Sequence, residues 1–143
     1  GYTYSGHPVA CAVALANLDI LQREDLPGRV RNDTGPYLAQ RFGELAEHPL
    51  VGIAESCGFV AGLALVQDKA SRKPFAPELG VGMLCRNHCF NNGLVMRAVG
   101  DRMIVAPPLI MDRAQIDQMI ALIRLALDRT LVDLRERGVA IGA

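Results

Sequence analysis

The chain has 143 residues, half of them hydrophobic and 21% charged, and its 15 lysine and arginine residues balance its 15 aspartate and glutamate residues. This composition is typical of one globular domain with a real core and excludes a disordered segment. The balanced charge argues against a nucleic-acid partner or an anionic membrane partner. No apolar run approaches the roughly 18 residues that a membrane-spanning helix needs.

The chain begins in a loop rich in glycine and hydroxyl groups, GYTYSGHP at residues 1–8. It has no initiator methionine and no targeting signal, so we expect a part of a longer protein. A loop of this kind that leads into a helix can bind an anion, because backbone N–H groups and hydroxyl donors meet at the positive end of the helix dipole. Most capped helix starts bind nothing, and the loop alone favours that simpler interpretation.

A first helix is predicted directly after this loop. Ser5 is expected to cap it, Pro8 suits its first turn, and residues 9–21 contain no helix breaker. Apolar residues cover nearly every face of this stretch, which predicts a helix that is buried between layers.

The remaining pattern alternates between helix and strand. A turn is predicted at Leu26-Pro27-Gly28, and Gly35-Pro36 predicts a kink or break in a second helical stretch. Four short strands are predicted at 51–54, 59–66, 94–97 and 103–106, with a helix at 78–90 between the two pairs. A closing helix capped by Asp112 and Gln115 carries one apolar stripe. This order predicts an α/β or α+β fold, with helices on a small sheet.

Arg97 is the first candidate binding residue. It is predicted to end a strand, with Val95 on the same face. Such an arginine commonly faces solvent or pairs with a structural acid. The functional alternative is a carboxylate clamp, because the guanidinium group matches a carboxylate in two-point geometry.

The four cysteines lack the dense spacing of a secreted disulfide scaffold. We expect free, mostly buried thiols in a cytoplasmic protein. Cys85 and Cys89 would share a helical face, with His88 nearby, but zinc needs further ligands and none is close in the sequence. We therefore expect no metal site.

The only lysines are Lys69 and Lys73, both in a polar loop. A lysine that forms an imine is normally desolvated, so that its amine can lose its proton near neutral pH. Nucleotide-binding glycine loops, nucleophile elbows and zinc-protease motifs are also absent from the sequence. We expect no catalytic residue within this sequence.

Two motifs together point to one family. Residues 1–12, GYTYSGHPVACA, resemble the segment that follows the cofactor lysine in class III aminotransferases. Residues 92–97, NGLVMR, followed by Gly100-Asp101 and by APPLI at 106–110, are similar to the strand pair near the C-terminus of that family. The order, the separation and the closing helix agree, so the resemblance covers essentially the whole chain.

The resemblance implies the C-terminal small domain of a fold type I pyridoxal-phosphate enzyme, with helices packed on a small, mostly antiparallel sheet. Residues 1–25 would form an interdomain loop and helix, and residues 26–143 the small domain. The family implies a homodimer that moves an amino group from an amine or amino-acid donor to a keto-acid acceptor. Its cofactor lysine and the aspartate at the pyridine nitrogen lie upstream, so we expect the segment alone to be inactive and not to bind pyridoxal phosphate.

The resemblance also implies roles for three residues. Thr3 matches the threonine that reaches the cofactor phosphate of the partner subunit, and Tyr2 stands beside it, which makes the anion-site interpretation the favoured one in a dimer of complete subunits. Arg97 matches the mobile arginine that binds a substrate α-carboxylate and moves away for an apolar or amine substrate.

Two departures from the family pattern are present. Glu55-Ser56 occupies the place of the usual Arg-Gly pair, and Gly35-Pro36 interrupts what is commonly a continuous helix. The same class includes an aminomutase and a decarboxylase, so these reactions are alternatives. A non-catalytic α/β binding module is a further alternative. An isolated segment should expose apolar surface and self-associate.

Overall fold

A computed structural model describes residues 2–142, so Gly1 of the loop motif and Ala143 lie outside the described residues. The helices, in chain order, are α1 Pro8–Arg23, α2 Leu26–Arg29, α3 Gly35–Gly43, α4 Val81–Asn91 and α5 Arg113–Glu136. The strands are β1 Val51–Cys57, β2 Val60–Leu65, β3 Arg97–Val99 and β4 Arg102–Val105. A π-helical turn, Val30–Thr34, precedes α3, and a 3-10 turn, Glu44–Glu47, follows it. A second 3-10 turn, Pro77–Leu79, precedes α4.

The strands in the described part of the chain form one antiparallel sheet in the order β1-β2-β4-β3. The predicted small antiparallel sheet with helices packed on it is therefore confirmed. The third strand differs in position: Arg97 begins β3 rather than ending a strand. In the β3–β4 register Arg97 is opposite Ile104, and residues 94–96 precede the ladder as irregular chain. Continued in this register, residue 94 would be opposite Pro107, which has no N–H to donate to a ladder.

The helices cover one face of the sheet. α3 packs on β1, α4 packs on β3 and β4, and α5 packs on both α3 and α4. The buried side chains of α5 include every member of the predicted apolar stripe, Ile116, Met119, Ile120, Ile123, Leu127, Leu131 and Leu134, together with Ala126 and Thr130. The Asp112 side chain accepts the Gln115 N–H, and the Gln115 side chain accepts the Asp112 N–H, so the predicted capping box is confirmed.

The predicted burial of α1 is wrong for this segment: none of its residues is buried by the described chain. Val9, Val13 and Leu15 are 63–66% exposed. Ser5 does not cap the helix, because His7 holds the N-cap position without a side-chain hydrogen bond. The apolar residues of α1 predict that other structure packs against this helix, but residues 2–142 do not bury them.

The predicted turn at Leu26-Pro27-Gly28 is also wrong, because these residues lie in the short helix α2, where the Asp25 carboxylate accepts the Gly28 N–H. The predicted kink or break at Gly35-Pro36 takes a different form: the irregular stretch is the π-helical turn Val30–Thr34, and the helical path continues from it into α3, which begins at Gly35. Gly35 is required there, since a Cβ atom would lie 2.4 Å from the Val30 carbonyl oxygen.

Candidate functional site

The sheet face opposite the helices is open in the described structure, and it carries the candidate site. Cross-strand register places outward side chains in two rows across the four strands. One row contains Glu55, Gly62, Ile104 and Arg97, and the other contains Ile53, Ala64, Arg102 and Val99. The charged members stand toward the two sides of the sheet, with small and apolar residues between them.

A shallow trough runs along β2 on this open face. Its floor is formed by Gly62 and Ala64, which are smaller than the β1 and β4 side chains beside them. The resulting concavity has a volume of about 390 Å³, with Glu55 and Arg102 among its lining residues. The trough therefore presents an apolar floor with one acidic and one basic side chain.

Arg97 is exposed at the start of β3 and makes no side-chain hydrogen bond or ion pair with residues 2–142. It lines a neighbouring concavity of about 500 Å³. The apolar part of that lining includes Leu94, Val95, Ile104, Pro107, Pro108 and Met119. An unpaired guanidinium group beside an apolar wall can bind the carboxylate of a small aliphatic molecule, since nothing in the described chain competes for it.

The N-terminal loop presents its hydroxyl groups to solvent. Tyr2 is 90% exposed, and Thr3 is also exposed, with no hydrogen bond from its hydroxyl to the described chain. The loop leads into the 16-residue helix α1, whose first turn lacks a side-chain cap. Free hydroxyl donors and uncapped N–H groups at a helix N-terminus suit a phosphate group. No described hydrogen bond or ion pair joins this loop to Arg97.

The two lysines lie elsewhere. Lys69 Nζ donates to the Ala46 carbonyl oxygen, and the Lys73 backbone pairs with that of Asp68 in the loop after β2. Neither lysine lines the concavity that contains Arg97. The structure therefore does not bring a lysine amine to the candidate site.

Of the four free cysteines, Cys85 and Cys89 are buried, and Cys11 and Cys57 are exposed. The expectation of buried thiols therefore holds only for the two cysteines of α4. The pKa of the Cys85 thiol is raised, mainly by its hydrogen bond with Cys89 and to a smaller extent by burial. The same hydrogen bond lowers the pKa of the Cys89 thiol. Residues 2–142 contain no group of three or more histidine, cysteine or acidic side chains that could hold a metal ion. We interpret the pair as part of the core.

Sequence reasoning did not single out Arg102, which shares the open face with Arg97. The signal was available in the alternation of β4, where Arg102 and Ile104 are exposed and Met103 and Val105 are buried. Arg102 was not identified because the strand was predicted to begin at residue 103.

The part of the chain that the structure describes contains no helix of the length and apolarity required to span a bilayer.

Comparisons with known proteins agree with this architecture. The profile of the family Aminotransferase class-III matches residues 1–127. A putrescine–pyruvate aminotransferase of Pseudomonas aeruginosa is 58% identical over 130 residues, which cover 91% of this chain and 28% of that protein. Gamma-aminobutyrate transaminase 1, mitochondrial, of Oryza sativa subsp. indica is 35% identical over 130 residues, with 91% of this chain and 25% of that protein covered.

Solved structures give the same result. The PMP-bound form of an aminotransferase from Vibrio fluvialis aligns with a TM-score of 0.86 at 38% identity, covering 92% of this chain and 29% of that one. This chain thus spans less than a third of the length of the relatives described here. The predicted fold, part of the small domain of a fold type I enzyme, is confirmed by these likenesses. The chain belongs to the class III aminotransferase family.

Proposed function

We propose that this segment is the C-terminal part of a pyridoxal-phosphate-dependent aminotransferase that moves an amino group from an amine or ω-amino acid to an α-keto acid. The observation that carries the proposal is the exposed, unpaired guanidinium group of Arg97 at an apolar concavity. In a family that transfers amino groups, a two-point cationic donor at this position suits the carboxylate of the keto-acid acceptor.

The same arginine has to tolerate a donor that carries no carboxylate. Because Arg97 is held by no partner among the described residues, its flexible stem can turn the guanidinium group away and leave the apolar wall for an aliphatic amine. The 58% identical relative is a putrescine–pyruvate aminotransferase. We infer that a short aliphatic diamine is the donor and that pyruvate is an acceptor.

The N-terminal loop fits the phosphate end of the cofactor. Thr3 would donate its hydroxyl to the phosphate held by the partner subunit of a homodimer, with Tyr2 beside it and the positive end of α1 behind both. Pyridoxal phosphate, when bound, supplies the electron sink for the reacting carbon. Thr3 and Tyr2 would hold and orient the phosphate, and Arg97 would hold and orient the acceptor carboxylate.

The described residues provide no lysine that is placed to form an imine with the aldehyde group of the cofactor. Lys69 is engaged by the Ala46 carbonyl, and Lys73 lies in the same loop. The reacting lysine is therefore supplied by residues outside this segment in our proposal, and the segment alone neither retains the cofactor nor turns over substrate.

The exposed apolar residues of α1 support an arrangement in which residues 1–25 are an interdomain loop and helix and residues 26–143 are the small domain. Val13 and Leu18 are 63% and 53% exposed, which leaves them for the rest of the subunit or the partner subunit to cover. The free state of all four cysteines supports a reducing, cytoplasmic location.

The direct test is an assay of the full-length enzyme that contains this segment, supplied with pyridoxal phosphate, putrescine and pyruvate. We expect alanine to form as pyruvate is consumed. A decarboxylase would release carbon dioxide without a keto-acid acceptor, and an aminomutase would isomerise an amino acid without one. If the full-length protein turns over none of these substrates, the binding-module alternative is the better interpretation.

A further inference from the structure

The trough along β2 contains an acidic side chain to which the proposed function gives no role. Glu55 is exposed on β1 and lines the concavity of about 390 Å³ whose floor is formed by Gly62 and Ala64. It forms no ion pair within residues 2–142. A free carboxylate beside an apolar floor is suited to a cationic group that is carried on an aliphatic chain.

The sheet register determines where this carboxylate lies relative to Arg97. Glu55 is opposite Gly62, and Gly62 is opposite Ile104. Ile104 in turn is opposite Arg97, so the row is acidic at one end and basic at the other. Three strand spacings, about 14 Å, separate the two ends. The Ile104 side chain lines both the trough and the concavity of Arg97, so the two concavities meet at this residue.

Gly62 leaves the middle of the row open. A Cβ atom added at Gly62 would lie 3.5 Å from the Met103 carbonyl oxygen, which is an ordinary van der Waals contact. The backbone therefore admits a larger residue at this position, and glycine is not required by the fold. Its lack of a side chain provides space between Glu55 and Ile104 for an unbranched chain of methylene groups.

Arg102 determines which side of the trough suits a cation. It also lines the trough, but it lies on β4 in the adjacent row, two strand spacings or about 10 Å from β1. Because like charges repel, an ammonium group is disfavoured on the β4 side and favoured on the β1 side, beside Glu55. The other end of the chain then lies over Ile104, where the amine reacts in its uncharged form.

We propose that Glu55 binds the distal ammonium group of an aliphatic diamine donor and so determines donor specificity. The reacting amine lies near Ile104, the methylene groups lie over Gly62, and the distal ammonium donates to the Glu55 carboxylate. The inference rests on the proposed function, because it assumes that the donor reacts beside the concavity of Arg97. It adds that the enzyme prefers a diamine to a monoamine of equal length.

The test compares two donors in the full-length enzyme, putrescine and n-pentylamine, in which a methyl group replaces the distal amine. Glu55→Gln is expected to lower kcat/KM for putrescine by about ten- to hundredfold, because a charge-assisted contact is lost, and to leave the value for n-pentylamine nearly unchanged. Glu55→Asp keeps the charge and should recover part of the loss. Glu136→Gln, an equal charge change at an exposed α5 position, is the control and should alter neither donor.

A second variant tests the path of the methylene chain. Gly62→Val fills the middle of the trough and should lower kcat/KM for both amines by about tenfold or more, since the added side chain occupies the same space. The half-reaction with pyruvate should change little. Unchanged values for both amines would show that the donor does not lie in the trough and would overturn the inference.

A binding measurement separates this inference from the proposed function. Tetramethylputrescine has two cationic nitrogens and no primary amine, so calorimetric titration of the full-length enzyme measures binding without turnover. We expect Glu55→Gln to weaken its binding about tenfold or more. An equal loss for putrescine and n-pentylamine, or no effect on putrescine and tetramethylputrescine, would overturn the role of Glu55 even in an active aminotransferase. Absence of transamination with intact, Glu55-dependent binding of tetramethylputrescine would instead reject the proposed function.

Discussion

Arg97 and Ile104 are direct cross-strand partners in β3 and β4, and both side chains are exposed on the sheet face that the helices leave open. The pairing places a flexible cation beside a fixed apolar side chain. A carboxylate can bind the cation while the carbon chain that bears it covers the apolar neighbour, and a ligand without a carboxylate can use the apolar side alone.

The first prediction concerns Arg97 in the full-length enzyme. Arg97→Ala should weaken the reaction with pyruvate by on the order of 2 kcal/mol, or about thirtyfold in kcat/KM, because a two-point charge-assisted contact is lost. The half-reaction with the amine donor should change little. Rapid-mixing measurements of the two half-reactions check this, with Arg129→Ala as the exposed control. Equal losses in both half-reactions would contradict the clamp role.

The second prediction concerns the N-terminal loop. Thr3→Ala should raise the dissociation constant of pyridoxal phosphate about tenfold or more, because a hydroxyl donor to a charged phosphate is removed. Thr3→Ser keeps the hydroxyl group and should bind the cofactor almost as the parent does. Fluorescence titration of the apoenzyme measures both variants. An unchanged cofactor affinity in Thr3→Ala would count against the assignment.

The third prediction concerns the core on α5. Ile123 is fully buried, so Ile123→Ala should lower the free energy of unfolding by about 2–5 kcal/mol through lost burial and a residual cavity. Leu125 lies two residues along the same helix and is 37% exposed, so Leu125→Ala should cost much less. Urea denaturation of the 143-residue chain compares them, and similar losses would show that α5 is packed differently.

The fourth prediction concerns pH. His48 is buried, its Nδ1 accepts the Leu50 N–H, and its Nε2 lies 3.4 Å from an Asp128 carboxylate oxygen. Burial lowers the pKa of His48, and this outweighs the opposing effect of Asp128. The unfolded state therefore binds a proton near pH 6.5 while the folded state does not, so stability is complete above that pH and decreases as pH falls below it.

The measurement is the free energy of unfolding of the chain at several pH values between 7.5 and 5. His48→Gln should reduce the slope below about pH 6.5, since the group that gains a proton on unfolding is gone. His7→Gln changes an exposed histidine and should leave the slope as it is. A slope that His48→Gln does not alter would assign the pH dependence to other groups.

Much of the fold could be predicted from the sequence because its signals are local. The capping box at Asp112 and Gln115 and the apolar stripe of α5 depend on spacing within a few turns of one helix. The strand alternation likewise depends on neighbouring residues, so the sheet and the exposure of Arg97 were predictable. The family followed from two motifs, which also led to Thr3 and Tyr2 as candidates.

Tertiary structure decided what is covered and what lies side by side. The pattern of α1 indicates a helix that needs apolar neighbours, but only the assembled fold reveals that residues 2–142 leave it exposed. Similarly, Arg97 and Arg102 become diagonal neighbours only through the β3–β4 register, since a shift of one residue would turn Arg102 to the opposite face. Periodicity is a property of one segment, whereas cover and register are relations between segments, and for that reason only the folded chain determined them.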